Sequence, residues 1–180
     1  MYQLLEISDS LRQAFDQVTE YTRSLTDVAL HQKPHPQKWS AAGNLEHLIL
    51  STKPLAKTLP LPKLTYKAFG KPNRPGRSYE ELVKRYHDRL AEVAGTNPAG
   101  NSGFGPKTDK VLTQEELLSN WEKVTKKLVS SLSKWEDADL DKYLLPHPLL
   151  GKLTIREMMF FTHYHTLHHL AIMRETAGVA

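Results

Sequence analysis

Hydrophobic and polar positions alternate along much of the chain with the period of an α-helix. Between residues 3 and 29, apolar side chains recur at steps of three or four and polar residues fill the opposite face. This pattern predicts one long amphipathic helix. A second stripe predicts a helix from about 41 to 57, with Ser40 as its N-cap.

Three later helices are predicted from capping boxes, in which a Ser or Thr is followed three residues on by Glu. The boxes are Ser78–Glu81, Thr113–Glu116 and Thr154–Glu157. Their helices should reach about residues 93, 135 and 175. The segments 60–76, 94–110 and 138–152 lack a sustained period and are predicted to be connections. The sequence therefore predicts a single all-α domain over 1–180, a four-helix bundle with an accessory helix and long crossover loops.

The composition narrows the classes of protein that fit the chain. No apolar run approaches the ~20 residues needed to cross a bilayer, so no membrane partner is expected. The first residues show no signal-peptide pattern and are expected to be part of the mature structure. The chain has no cysteine, which excludes disulfides and Cys-ligated metal centres and is compatible with the expected cytoplasmic location. A tight transition-metal site must therefore use His, Asp or Glu.

The excess positive charge is concentrated in one stretch. The chain has a net charge of +4, and the basic segment, residues 53–77, contains no acidic residue. Its cations are Lys53, Lys57, Lys63, Lys67, Lys71, Arg74 and Arg77. Such a segment can attract an anion or a nucleic acid. Because no nucleic-acid-binding motif accompanies it, a solvated loop is the favoured interpretation and nucleic acid is not an expected partner.

The last predicted helix contains a histidine pair. His165 and His169 are four residues apart, which places them on the same side of a helix with Cβ atoms about 6 Å apart. Neutral imidazoles bind Zn, Ni, Cu and Fe. His47, in the second predicted helix, is a candidate third ligand. On the spacing alone, histidines held in the core by hydrogen bonds remain the favoured alternative.

Three short motifs occur in an order that resembles a known family. The sequence W-S at 39–40 is followed by H-L at 47–48, and the last helix carries H-x-x-x-H at 165–169. The segment 147–154 reads H-P-L-L-G-K-L-T and leads into that helix. The chain thus resembles the DinB/YfiT-like superfamily of metalloenzymes along essentially its whole length.

The resemblance implies a four-helix bundle in which His47, His165 and His169 ligate a divalent metal ion, with Zn or Ni expected. The chain departs from the family where Arg-Gly-Gln often follows the last histidine, because here the residues are Leu170, Ala171 and Ile172. This departure weakens any transfer of the family's substrate chemistry. The basic insertion is also absent from the minimal family pattern.

Three histidine ligands leave coordination positions open for water or substrate, as in catalytic zinc sites. The family includes thiol-dependent S-transferases and metal-dependent hydrolases, so the leading hypothesis is one of these activities on a small molecule. The basic segment is expected at the mouth of the site, where it would attract an anionic thiol or carboxylate substrate. His147 is a candidate catalytic residue because its loop leads directly into the last helix.

Two other functions fit the same pattern. In the first, the protein is a non-catalytic, stress-associated metal-binding or interaction module whose ion cross-links two helices. In the second, which is less favoured, the basic segment binds DNA. The last helix is apolar on nearly all sides, which is compatible with a homodimer.

Overall fold

A computed structural model describes residues 3–93 and 111–177. Within these ranges, six α-helices are assigned: α1 Leu4–Ser24, α2 Asp27–His31, α3 Ala41–Thr58, α4 Tyr79–Glu92, α5 Gln114–Leu132 and α6 Ile155–Ala177. Helices α1, α5, α3 and α6 contact one another in a closed ring, and α4 packs against α6. The predicted all-α class is therefore confirmed, with α4 as the accessory helix. The predicted connection at 94–110 lies outside the described residues.

The first predicted helix is wrong in its extent, because the chain turns within it. Helix α1 ends at Ser24, and Leu25 is extended. The Thr26 side chain then accepts a hydrogen bond from the backbone N–H of Ala29 and caps the short helix α2. An N-cap starts a new helix and does not extend the previous one, so the apolar stripe continues across a break.

A β-hairpin occupies the stretch that was predicted to be an irregular connection. Strands β1, Leu144–His147, and β2, Gly151–Thr154, pair antiparallel with His147 opposite Gly151. Gly151 has a φ of +76°, which favours glycine at this position. Strands of four residues are too short to show a clear alternating pattern, so hydrophobic periodicity does not predict this hairpin.

The basic segment is tied to the start of α6. The Glu157 carboxylate is buried and accepts hydrogen bonds from Arg74 at 2.7 and 2.9 Å and from the backbone N–H of Arg77 at 3.0 Å. It also accepts from the backbone N–H of Thr154, which in turn caps the helix through its hydroxyl. The segment is therefore anchored and is not the freely solvated loop that its composition suggests.

The core lies inside the ring of helices and contains large apolar side chains. Trp121 is fully buried, packs edge-on against Phe15 at 5.2 Å and donates its indole N–H to the Phe15 carbonyl. Across residues 3–93 and 111–177, none of the helices combines the length and the apolar character that a membrane span requires.

Candidate metal centre

Three buried histidines from two helices meet inside the bundle. His47 comes from α3, and His165 and His169 come from successive turns of α6. Each side chain offers a ring nitrogen, and these three nitrogens lie within 4.8 Å of one another. The structure thus brings together the three residues that the family resemblance implied as ligands, and we refer to them as the histidine cluster.

The spacing of the cluster fits a transition-metal ion. A metal–nitrogen bond is about 2.0–2.1 Å, so two ligands on one ion lie about 2.9–3.4 Å apart. The Nε2 atoms of His47 and His165 are 3.1 Å apart. A pair at 4.8 Å would need to close by less than about 2 Å, which rotation of the side chains allows. The distances within the cluster are therefore compatible with a trihistidine metal site.

The orientation of His169 is set by an asparagine that sequence reasoning missed. The His169 Nδ1 atom lies 2.8 Å from Asn44 Oδ1, and the Asn44 amide nitrogen donates to the Ser40 carbonyl at 2.9 Å. The amide oxygen is thereby oriented to accept a hydrogen bond from Nδ1–H, which leaves a lone pair on Nε2 for an ion. The sequence contains one indication of this role, because Asn44 precedes His47 by three residues and therefore shares its face of α3.

Burial keeps two members of the cluster uncharged. Desolvation, together with smaller contributions from the neighbouring His47 and His168, lowers the pKa of His169 to about 2. Desolvation also holds the pKa of His165 well below its usual range, with added repulsion from His169 and His47. Both rings are therefore neutral at physiological pH, the state in which histidine binds a metal.

The cluster lies on the wall of a cavity of about 700 Å³. Helices α3, α4 and α6 and the hairpin supply most of its lining, which includes the apolar side chains of Leu55, Leu90, Leu145, Met158 and Phe161. This volume is in the range of small-molecule sites. Among the described residues, the lining contains no Asp or Glu.

His147 lines the same cavity but stands outside the cluster. Its ring packs edge-on against Phe161, with centroids 4.2 Å apart. Its Nδ1 atom accepts hydrogen bonds from the backbone N–H groups of Leu149 and Leu150, at 3.2 and 3.0 Å. Burial lowers its pKa to about 4, so the ring is neutral and carries its proton on Nε2. Its predicted catalytic role stays a prediction.

The cations of the basic segment were expected at the mouth of the site, but they do not line this cavity. Phe69 is in the lining, but none of the Lys or Arg residues of the segment is. Arg74 and Arg77 are paired with the buried Glu157, and Lys63 is paired with Asp139. The charged residue in the described lining is instead Arg89 of α4, which the sequence analysis did not single out.

The fold and the cluster together define a class, a helical bundle with a trihistidine candidate metal centre. The family model for the DinB superfamily matches residues 10–173, and the chain therefore belongs to that superfamily. The chain is also 24% identical over 156 residues to "Uncharacterized protein YuaE" of Bacillus subtilis (strain 168), a match that covers 85% of this chain and 86% of YuaE. No solved structure matches the chain at a significant level.

Proposed function

We propose that this protein binds a divalent metal ion through the histidine cluster and uses it in group transfer or hydrolysis on a small molecule. The observation that carries the proposal is that the three ligands share a wall of a cavity of about 700 Å³. Three protein ligands leave room on an ion for water or substrate. An all-imidazole set suits Zn or Ni, which are the ions we propose.

The cavity supplies the surroundings that such chemistry needs. A bound ion would activate a water molecule or stabilise a substrate thiol as thiolate. Imidazole ligands are uncharged, and the described lining has no carboxylate, so the charge of the ion would not be neutralised by the protein. This favours an anionic ligand, and a thiolate is the proposed one. Carbon-rich walls exclude bulk water and strengthen that attraction.

Metal analysis of protein purified without a polyhistidine tag tests the first half of the proposal. We expect about one ion per chain in the wild type and none in His165→Ala. His163→Ala is the matched control, because His163 lies on the same helix but hydrogen-bonds the Tyr79 hydroxyl and is not in the cluster. Loss of the ion in both variants, or in neither, would contradict the assignment.

Turnover tests the second half. Metal-loaded wild type and His163→Ala should transfer low-molecular-weight thiols to electrophiles, or hydrolyse small esters or amides, and His165→Ala should do neither. A metal-loaded protein that is inactive throughout this screen would favour a non-catalytic metal-binding module. One observation supports that second candidate, since the cluster joins α3 to α6 and an ion there would cross-link the bundle.

The location and assembly of the protein are part of the same proposal. We propose a cytoplasmic protein, which is compatible with a chain that has no cysteine. We also propose a homodimer, the assembly that the apolar last helix suggests from the sequence, while within one chain α1, α3 and α4 already contact that helix. Light scattering coupled to gel filtration measures the molecular mass, and a mass of one chain at micromolar concentration would contradict the dimer.

A further inference from the structure

The turn between the two strands fixes two side chains at the cavity. The backbone N–H of Leu149 donates to His147 Nδ1, and the carbonyl of the same residue accepts a hydrogen bond from Arg89 Nε at 3.3 Å. A second N–H, from Leu150, also donates to His147. Because both side chains bind the backbone of one turn, they are held close to each other, and both line the cavity.

His147 is held as a hydrogen-bond donor. Its Nδ1 atom must carry a lone pair, since two backbone N–H groups point at it. The neutral ring therefore has its hydrogen on Nε2. Within the described part of the chain, that N–H has no hydrogen-bond partner, and the atom is not sealed from solvent. With its hydrogen on Nε2, the ring can donate a hydrogen bond to an acceptor atom of a ligand, but that nitrogen cannot abstract a proton.

Arg89 supplies a positive charge beside this donor. Its Nε is used by the Leu149 carbonyl and its Nη1 by Glu92, whereas Nη2 has no hydrogen-bond partner among the residues described. Glu92 is about half exposed and does not line the cavity. The described lining contains no acidic side chain that would neutralise Arg89 from within.

We propose that Arg89 and His147 form a binding site for a carboxylate group of the ligand that occupies the cavity. The rest of the ligand would lie against the apolar walls, including Leu90, Leu145 and Phe161. One guanidinium and one neutral N–H match a single planar negative charge, and they are too few for a phosphate dianion. The inference rests on the proposed function in one respect, because it assumes that the other end of the ligand binds the metal ion.

This assignment gives His147 a role in positioning the substrate and not the catalytic acid–base role considered from the sequence. It also explains why the cations of the basic segment are not needed at the mouth. The substrate class that follows is an amphipathic carboxylate, with an apolar body between its acidic group and its reacting atom.

Thiols with a carboxylate at the far end provide the probes. Protein loaded with Co²⁺ would be titrated with straight-chain mercapto-carboxylates of three to eight carbons, and with mercapto-alcohols of the same lengths. Binding is followed by the absorbance of the thiolate–Co²⁺ bond. We expect the acid to bind at least about tenfold more tightly than the matched alcohol at one optimal length, as for a charge-assisted hydrogen bond.

Matched variants separate the proposed site from a general effect of charge. Arg89→Met should abolish the preference for the acid. Arg85→Met should leave it intact, because Arg85 lies one turn earlier on α4 and pairs with the same Glu92 but is not in the cavity lining. Equal loss in both variants would overturn the assignment.

Two substitutions of His147 test separately its role as acceptor for the turn and its role as donor to the ligand. In His147→Asn, the side-chain oxygen replaces Nδ1 as the acceptor for the turn, but the amide nitrogen does not reach the position of Nε2, so the preference should fall. In His147→Gln, the amide nitrogen replaces the Nε2 donor, so the preference should persist.

The outcomes for the two proposals are distinct. Absence of any thiolate–Co²⁺ absorbance, with either class of probe, would overturn the proposed metal function. Normal absorbance with equal affinity for acids and alcohols at every length would overturn the carboxylate site and leave the metal function standing. If His147→Asn does not fold, the comparison of Arg89→Met with Arg85→Met decides the result.

Discussion

At the scale of single residues, the hydrogen-bond partner of each imidazole decides which nitrogen is available. Asn44 accepts a hydrogen bond from Nδ1–H of His169 and so leaves the Nε2 lone pair for an ion. Backbone N–H groups bind Nδ1 of His147 and leave a donor on Nε2. The same side chain is thus fitted for ligation in one position and for donation in the other.

The role of Asn44 can be tested through metal affinity. Asn44→Leu removes the acceptor for His169 Nδ1, so the affinity for Zn²⁺ should fall about 10- to 100-fold. Asn44→Asp keeps an acceptor and should retain most of the affinity. Ser51→Ala is the control, because Ser51 lines the cavity but, among the described residues, its hydroxyl donates only to the Leu48 carbonyl. Competition with a chromophoric chelator measures each constant, and unchanged affinity in folded Asn44→Leu would refute this role.

His147 should make the stability of the metal-free protein depend on pH. Its pKa is about 4 in the folded state against an ordinary value of 6.5, so the unfolded chain binds the proton first as the pH falls. Its contribution is therefore lost progressively between about pH 6.5 and 4, by at most about 1.4 kcal/mol per pH unit. Urea unfolding with a chelator present should show a shallower pH dependence in His147→Asn than in the wild type. Identical slopes would show that His147 titrates normally.

At the scale of elements, the start of α6 joins three parts of the chain. Glu157 closes the capping box with Thr154 and also binds Arg74 and Arg77 of the basic segment. Burial alone would raise its pKa, but the hydrogen bonds from Arg74 and from two backbone N–H groups outweigh burial and hold the pKa below its usual range. Its contribution to stability is present above the unfolded pKa of 4.5 and is lost as the pH falls through the folded value.

Replacing Glu157 should be costly. Glu157→Gln leaves two guanidinium groups without their buried partner, so we expect a loss of about 3–5 kcal/mol in the free energy of unfolding. Glu122→Gln is the control, since Glu122 makes ion pairs with Arg23 and Lys126 at the surface and its replacement should have little effect on stability. Urea unfolding at pH 7 measures both. A small effect at Glu157 would mean that the basic segment is not anchored there.

At the scale of the whole molecule, the candidate metal centre bridges two helices of the ring. An ion bound by residues of α3 and α6 binds the folded state and stabilises it by mass action. At a Zn²⁺ concentration 100 times the Kd, this stabilisation is about 2.7 kcal/mol.

The melting temperature should rise accordingly. We expect an increase of several degrees on adding Zn²⁺ to the wild type and to His163→Ala, and no increase for His165→Ala. Differential scanning calorimetry measures the shift. An equal rise in His165→Ala would mean that the stabilising ion binds elsewhere.

Some of this organisation could be predicted because it is local. The capping boxes at Ser78, Thr113 and Thr154 depend on residues three positions apart, and the structure confirms the helices that they start. The spacing of His165 and His169 likewise fixes their common face. The break at Thr26 was missed because an apolar stripe does not reveal a change of direction, and the hairpin was missed because its strands are short.

The sequence by itself determined the helices that the capping boxes start, the histidine pair and the absence of cysteine ligands, since each depends on composition or on neighbours within one or two turns. Only the tertiary structure decided that His47 meets His165 across 118 positions of sequence, that Asn44 orients His169, and that Arg89 and His147 share one turn. These contacts form when distant segments pack together in the bundle. The hydrophobic period of one segment does not encode which side chains of another segment it will contact.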